Sequence, residues 1–308
     1  MSVCVLGGIN WDVVTHVEDL PRRGETIHAH GLDQSAGGKG LNQAVAAARY
    51  GAEVILLGAT GDDVAGGILR RTMRDVGVDD TMVASLAGVS TGQAQICLAR
   101  NGDNMIVVNA GANARYSAAD VRAASLAGCT VFVTQFEAAP DAVEALFLTA
   151  PARAGIRILN AAPALEGGRR LFALADIVIV NETELQSFAN LEAVPATPAA
   201  FVTAARSLIN RAAQTIVVTL GPRGCLRIDA ASDEAISGYH VEVVDTIGAG
   251  DCFCGVLGAA LAEGRPLGKA LRHANAAAAL SVGRPGAAVA SPTRLELEDL
   301  LRRTRQAP

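Results

Sequence analysis

The chain has 308 residues, half of them hydrophobic and 19% charged, a balance that supports a large packed core and excludes global disorder. A formal net charge of −5 argues against a protein whose main work is holding nucleic-acid backbone, and length alone leaves one large α/β domain or two ordinary ones. Aromatics make up only 4%, so the core is aliphatic, and all but two of the 26 basic residues, Lys39 and Lys269, are arginines.

The N-terminus, MSVCVLGGIN, lacks the basic and long apolar regions of a signal peptide and reads as a first core strand over residues 2–8 ending in Gly-Gly. No apolar run reaches the ~18–20 residues needed to cross a bilayer. In GINWD (8–12), Asn10 and Asp12 alternate with Trp11, so both polar side chains face one way and can grip two neighbouring hydroxyls of a polyol. Trp11 faces the other way and packs. Residues 11–35 are polar and irregular. SAGGKGLNQA (35–44) is a glycine loop opening a helix, with Asn42 in its first turn. It is not a Walker A loop, because no Ser or Thr follows the lysine, and Gly7-Gly8-Ile9-Asn10 is not a dinucleotide fingerprint. Gly37 and Gly38 either let backbone approach a small ligand or simply turn a strand into a helix.

A helix over 42–50 stops at Gly51, a strand follows over 53–61, and an amphipathic helix over 63–78 is weakened by Gly66 and Gly67. Residues 91–109 alternate apolar and polar around Asn101-Gly102, the pattern of a β-hairpin. Strands are predicted over 130–137, 156–163, 176–184 and 215–224, with a helix over 141–155 and a charged terminal helix in the last twenty residues. Continuous Val/Ile runs mean strands covered on both faces, hence an α/β fold with a doubly wound, mostly parallel sheet flanked by helices. Residues 11–35 and 90–110 break that pattern and are expected to form a small β lid inserted in a single domain spanning 1–308. The six cysteines are scattered without metal-site spacing, as free thiols in a reducing cytoplasm would be.

Two further segments carry chemistry. NETE (181–184) sets an amide and two carboxylates just past a buried strand, suited to a hydrated Mg²⁺ with nucleotide phosphates or to capping the next helix. In VVDTIGAGDCFCG (243–255), Gly248, Ala249 and Gly250 precede Asp251 and an apolar helix. Small residues at a helix N-terminus let backbone N–H groups converge on an anion. Asp251 is then either a general base beside that anion hole or an ordinary helix N-cap.

Taken in order, GINWD, GETIHAHGLDQSAGGKGLNQAVAAARYGA, TGDD, the STG hairpin, NAGAN, FE, NETE, TLGPRG, VDTIGAGD and HANAAAALSVGRPGA make the whole chain resemble the ribokinase-like (PfkB) carbohydrate kinases. The resemblance implies an ATP-dependent kinase acting on a primary hydroxyl of a small sugar, with D-ribose the first expected acceptor. It assigns the sugar to Asn10, Asp12, Gly38, Lys39, Asn42 and Glu137, and makes Asp251 the base with the 248–251 amides as anion hole. Asn181 and Glu184 match the nucleotide and Mg²⁺-water network, Thr219, Gly221 and Gly224 the loop along the nucleotide, and Asn275 a position beside the adenine. Asp245 and the Ile247 carbonyl match a monovalent-cation site for K⁺, completed by the loop around Ser281, Arg284, Gly286 and Ser291. The family's β lid commonly mediates a homodimer.

Three positions depart from the family pattern: Trp11, where a small residue is commoner, Leu41 after GGKG, and Ala290 where a Ser oxygen is often found. Rival readings are the same fold acting on a nucleoside, ketohexose or modified pentose, and a catalytically silent sugar-binding protein. The retained Asp251 with its glycines and NETE argues against the silent protein, since binding alone needs no base.

Overall fold

The computed structural model describes residues 2–306. Its strands are β1 (Ser2–Leu6), β2 (Asn10–Val17), β3 (Gly31–Gly37), β4 (Glu53–Gly61), β5 (Val78–Asp79), β6 (Val83–Leu86) and β7 (Gly92–Ala99). They continue as β8 (Asn104–Asn109), β9 (Cys129–Gln135), β10 (Ile156–Asn160), β11 (Ile177–Asn181), β12 (Thr215–Thr219), β13 (Gly224–Ile228) and β14 (Asp233–Ser237). The helices are α1 (Lys39–Tyr50), α2 (Val64–Asp75), α3 (Ala118–Ala123), α4 (Pro140–Leu148) and α5 (Ala150–Ala154). After these come α6 (Glu182–Phe188), α7 (Pro198–Arg206), α8 (Ala249–Ala262), α9 (Leu267–Ser281) and α10 (Arg294–Gln306).

The main sheet runs β14-β13-β12-β11-β10-β9-β1-β4-β5, with β6 paired to β4. The pairings β9-β10-β11-β12, β9 with β1, β1 with β4, and β4 with β5 and β6 are parallel; β13 and β14 add an antiparallel edge. Both faces are covered. Val3 and Val5 of β1 join the core beneath α1, α8 and α9, while Cys4 and Leu6 join the core under α4 and α5. That two-sided burial explains the unbroken apolar runs of the sequence. After β1 the chain builds outward through β4; it later returns on the other side of β1 through β9. The order therefore reverses between β1 and β9, and their C-terminal ends open the crevice where a doubly wound sheet binds its ligands.

A second sheet, β3-β2-β7-β8, stands off this crevice. The hairpin read over 91–109 is β7 and β8, antiparallel with Leu98 opposite Asn104. The two excursions are joined by a parallel pairing, β2 with β7, rather than lying antiparallel throughout. Trp11 is half-buried and packs on the core beneath α1.

Several boundaries differ from the sequence reading for local reasons. The helix read over 141–155 is two, because Thr149 is extended and caps α5 ahead of Pro151. The helix read over 63–78 ends at Asp75, and the chain turns at Gly77 (φ 80°) into β5. Gly66 is no mere weak point: a Cβ there would lie 2.3 Å from the Gly61 carbonyl oxygen. The antiparallel edge was not foreseen, because β13 and β14 are short and only half apolar.

Candidate active site

The crevice is assembled by glycines that allow backbone to touch backbone. Gly38 caps α1 at φ 89°, and a Cβ on it would meet the Gly8 carbonyl oxygen at 2.6 Å and the Asn10 nitrogen at 2.7 Å. The Leu41 N–H donates to Gly8 O at 3.1 Å. The glycine loop is therefore a strand-to-helix turn, and the same close approach carries Lys39 and Asn42 to the end of β1. Asn10 is buried at the start of β2, its Oδ1 accepting from Asn113 Nδ2 at 2.7 Å. Asn113 also bonds both main-chain groups of Ile9, pinning the exit from β1.

Asp251 sits at the third position of α8, whose N-cap is Gly248 in the left-handed region (φ 75°). The N-cap alternative for Asp251 is thereby excluded. Its carboxylate is buried and takes one amide donor on each oxygen, Asn42 Nδ2 to Oδ2 at 3.1 Å and Gln43 Nε2 to Oδ1 at 3.0 Å. The first-turn N–H groups of α8 have no intrahelical acceptor and carry the positive end of the helix dipole. That of Ala249 makes only a 3.4 Å contact with Thr246 O.

Charges converge here. Burial, then the negative charges of Glu137 and Asp251, push the Asp12 carboxyl up to about 7. Its Oδ1 is buried without a hydrogen-bond partner, an acceptor suited to a hydroxyl donor. Burial also raises Glu137, although its Oε2 accepts the Lys39 N–H at 2.8 Å. The Asp251 charge, the largest influence on Lys39, holds that ammonium firmly protonated.

Across the crevice, Asn181 and Glu184 form a reciprocal capping box at the start of α6. The capping reading of NETE is thus realised, without removing Glu184 from the site. A cavity of about 210 Å³ is lined by Lys39, Asn160, Asn181, Glu184, Thr219, Gly248, Gly250 and Asp251, among others. Burial raises the Glu184 carboxyl, so a cation or a bound-water donor would relieve it. Among the described residues no cluster of three His, Cys, Asp or Glu could hold a metal. Asn181 and Glu184 offer oxygen acceptors of the kind that would hold the waters of a Mg²⁺ bound to phosphate oxygens, as this hard cation prefers.

The description "pfkB family carbohydrate kinase" matches residues 1–294. The chain belongs to that family. The kinase is 34% identical to the ribokinase of Haemophilus influenzae over 97% of its length and 98% of the relative's. It is 32% identical to the deoxyribokinase of Salmonella typhi, over 98% and 99% of the two chains. Its fold matches the Arabidopsis thaliana ribokinase solved with ribose and ATP at a TM-score of 0.86, with 28% identity and 98% of each chain covered.

Of the remaining expected positions, Thr219 lines the cavity, whereas Gly221, Gly224, Asn275, Asp245, Ser281, Arg284, Gly286 and Ser291 are not among its lining residues. Thr219 ends β12, and Gly221 (φ 55°) and Gly224 (φ 94°) turn the following loop; a Cβ on Gly224 would lie 2.1 Å from Ile236 O. Asn275 is buried and its amide donates to Ile236 O at 3.2 Å, so it secures the β14 edge. Asp245 accepts from the Ile247 and Gly286 N–H groups, both at 2.9 Å, which joins two segments of the expected cation loop. Ser281 donates to Ala278 O, Arg284 pairs with Glu296, and Ser291 is buried.

Four residues of the centre escaped the sequence reading: Gln43, Asn113, Gln135 and Asn160. Gln135 is fully buried, donates to Leu6 O at 3.1 Å and accepts the Glu137 N–H at 3.2 Å. The available signal was an amide at the boundary of an apolar run, Gln135 closing TVFVT and Gln43, beside Asn42, opening AVAAA.

Proposed function

We propose that this kinase transfers the ATP γ-phosphoryl group to a primary hydroxyl of a small sugar, D-ribose first, giving ribose 5-phosphate. The observation that carries the reading is Asp251: a buried carboxylate, held on both oxygens, in the first turn of a helix opened by Gly248 and close enough to Lys39 to be the main influence on its ammonium.

The sugar lies between β2 and the α1 loop, with Asn10, Asp12, Lys39, Asn42 and Glu137 holding its hydroxyls. Asp251 orients the acceptor hydroxyl and takes its proton. The amides of 248–251 and the α8 dipole hold the negative charge of the transferred group. Lys39 adds a positive charge beside Asp251. Asn181 and Glu184 hold waters of Mg²⁺, which supplies charge neutralisation to the phosphates when bound. Thr219, Gly221, Gly224 and Asn275 line the nucleotide side, and K⁺ belongs to the Asp245 loop. The second sheet closes over the crevice as a lid and excludes water. Its edge strand β8 exposes Met105, Ile106, Val107 and Val108 on its two sides, an apolar edge suited to a second copy of the chain in a homodimer. The unpaired cysteines support the cytoplasm as its compartment.

The test is ADP release over pentoses, 2-deoxy-D-ribose, hexoses, polyols and nucleosides. D-Ribose should give the highest kcat/KM, with 2-deoxy-D-ribose kept in the screen by the Salmonella relative. Asp251→Asn should retain sugar binding and lose turnover by about 10²–10⁴-fold. Near-normal turnover in that variant overturns the assignment of the base; ADP release with none of the acceptors overturns the proposal.

A further inference from the structure

Gln43 is 0% exposed, so it reaches neither sugar nor nucleotide. It lies on α1 where that helix packs tightly on α8; a Cβ on Gly255 of α8 would sit 2.2 Å from the Gln43 carbonyl oxygen. From there its side chain runs to Asp251 Oδ1 at 3.0 Å. A carboxylate only accepts, so the amide nitrogen must face it, and the Gln43 Oε1 is left buried without a partner. An apolar residue of the same shape would fill this helix interface without an orphaned acceptor. The amide is therefore poor core filler and has one polar contact to justify it.

We infer that Gln43 is a positioning residue for the base, fixing the plane of the Asp251 carboxylate so that one lone pair points at the acceptor hydroxyl. This inference rests on the reading of Asp251 as the base. Asn42 holds the other oxygen but is itself expected to bind sugar, so it is shared once substrate arrives. Gln43 remains with Asp251 throughout. A carboxylate on a short side chain can rotate; an error of about 1 Å in a reacting group is enough for a ~100-fold loss.

The experiment is steady-state kinetics and thermal melting of Gln43→Met, Asp251→Asn and the double variant. Gln43→Met should lower kcat about 10- to 100-fold, with KM for sugar and ATP within about threefold and an unchanged melting temperature. The double variant should be no slower than Asp251→Asn alone, because Gln43 acts only through Asp251. Normal kcat in Gln43→Met, or losses that multiply in the double variant, overturn the inference. Turnover retained by Asp251→Asn overturns the underlying reading instead. Should Gln43→Met fail to fold, Gln43→Glu, which keeps the shape and sets a second carboxylate against Asp251, is expected to lose at least as much turnover; wild-type turnover there overturns the inference equally.

Discussion

The backbone N–H of Lys39 donates to the Glu137 carboxylate at 2.8 Å, although 98 residues separate them. This bond ties the glycine loop to the end of β9 across the point where the sheet reverses its order. Glu137→Gln keeps an acceptor for Lys39 but removes the charge. The sugar KM should rise about tenfold with a smaller change in kcat, and Glu137→Ala should also lower the melting temperature. Steady-state kinetics and calorimetry read the two effects.

Gly255 sets the spacing between α1 and α8. A Cβ there would meet Gln43 O at 2.2 Å and Ala46 Cβ at 2.8 Å, so Gly255→Ala must push the helices apart. The cost should be about 1–3 kcal/mol, with kcat falling in parallel as Asp251 leaves Asn42 and Gln43. Gly67→Ala is the control: its Cβ would open onto empty space within α2, and stability should rise by about 0.5–1 kcal/mol. Chemical denaturation of both variants checks the contrast.

Asp12 makes stability depend on pH. Burial, with Glu137 and Asp251 behind it, raises its carboxyl from 3.8 to about 7 in the folded protein. The folded state then binds more protons than the unfolded state between those values, so this contribution falls as pH rises from about 4 to about 7. Asp12→Asn removes that loss. The variant should be more stable than wild type by on the order of 2 kcal/mol above about pH 7, converging with it near pH 4, while binding sugar poorly. Urea titrations across that range decide it.

Asn181 has two jobs that one substitution separates. Its side chain caps α6 by accepting the Glu184 N–H at 2.8 Å, while its own N–H donates to Glu184 Oε2 at 2.8 Å. Asn181→Ala should cost about 1 kcal/mol of stability yet leave Glu184 anchored by the main-chain bond. The nucleotide KM should rise more than the sugar KM. Equal changes in both would contradict the placement of Asn181 on the nucleotide side.

The residues that announced themselves in sequence were those whose chemistry is local. Gly248, Gly250 and Asp251 open a helix within a few positions of one another, and Asn10 and Asp12 alternate on one strand; both patterns follow from backbone geometry alone. The two-sided sheet was legible because Val/Ile runs report burial directly. Gln43, Asn113 and Gln135 were not legible. Each is a buried amide whose meaning lies in a partner far along the chain: Gln43 with Asp251, Asn113 with Ile9, Gln135 with Leu6. The antiparallel edge β13–β14 was equally hidden, since short half-apolar strands carry little periodicity.

The sequence by itself determined a doubly wound α/β chain, its glycine turns and the carboxylates available for chemistry, because periodicity, turn conformation and side-chain type act over a few residues. Only the tertiary structure decided which of those groups meet. The reversal of strand order between β1 and β9, and the glycine contacts that let α1 lie against both β1 and α8, bring Asp12, Lys39, Glu137 and Asp251 into one crevice. There burial and mutual charge, which depend on three-dimensional neighbours, set how each of them behaves.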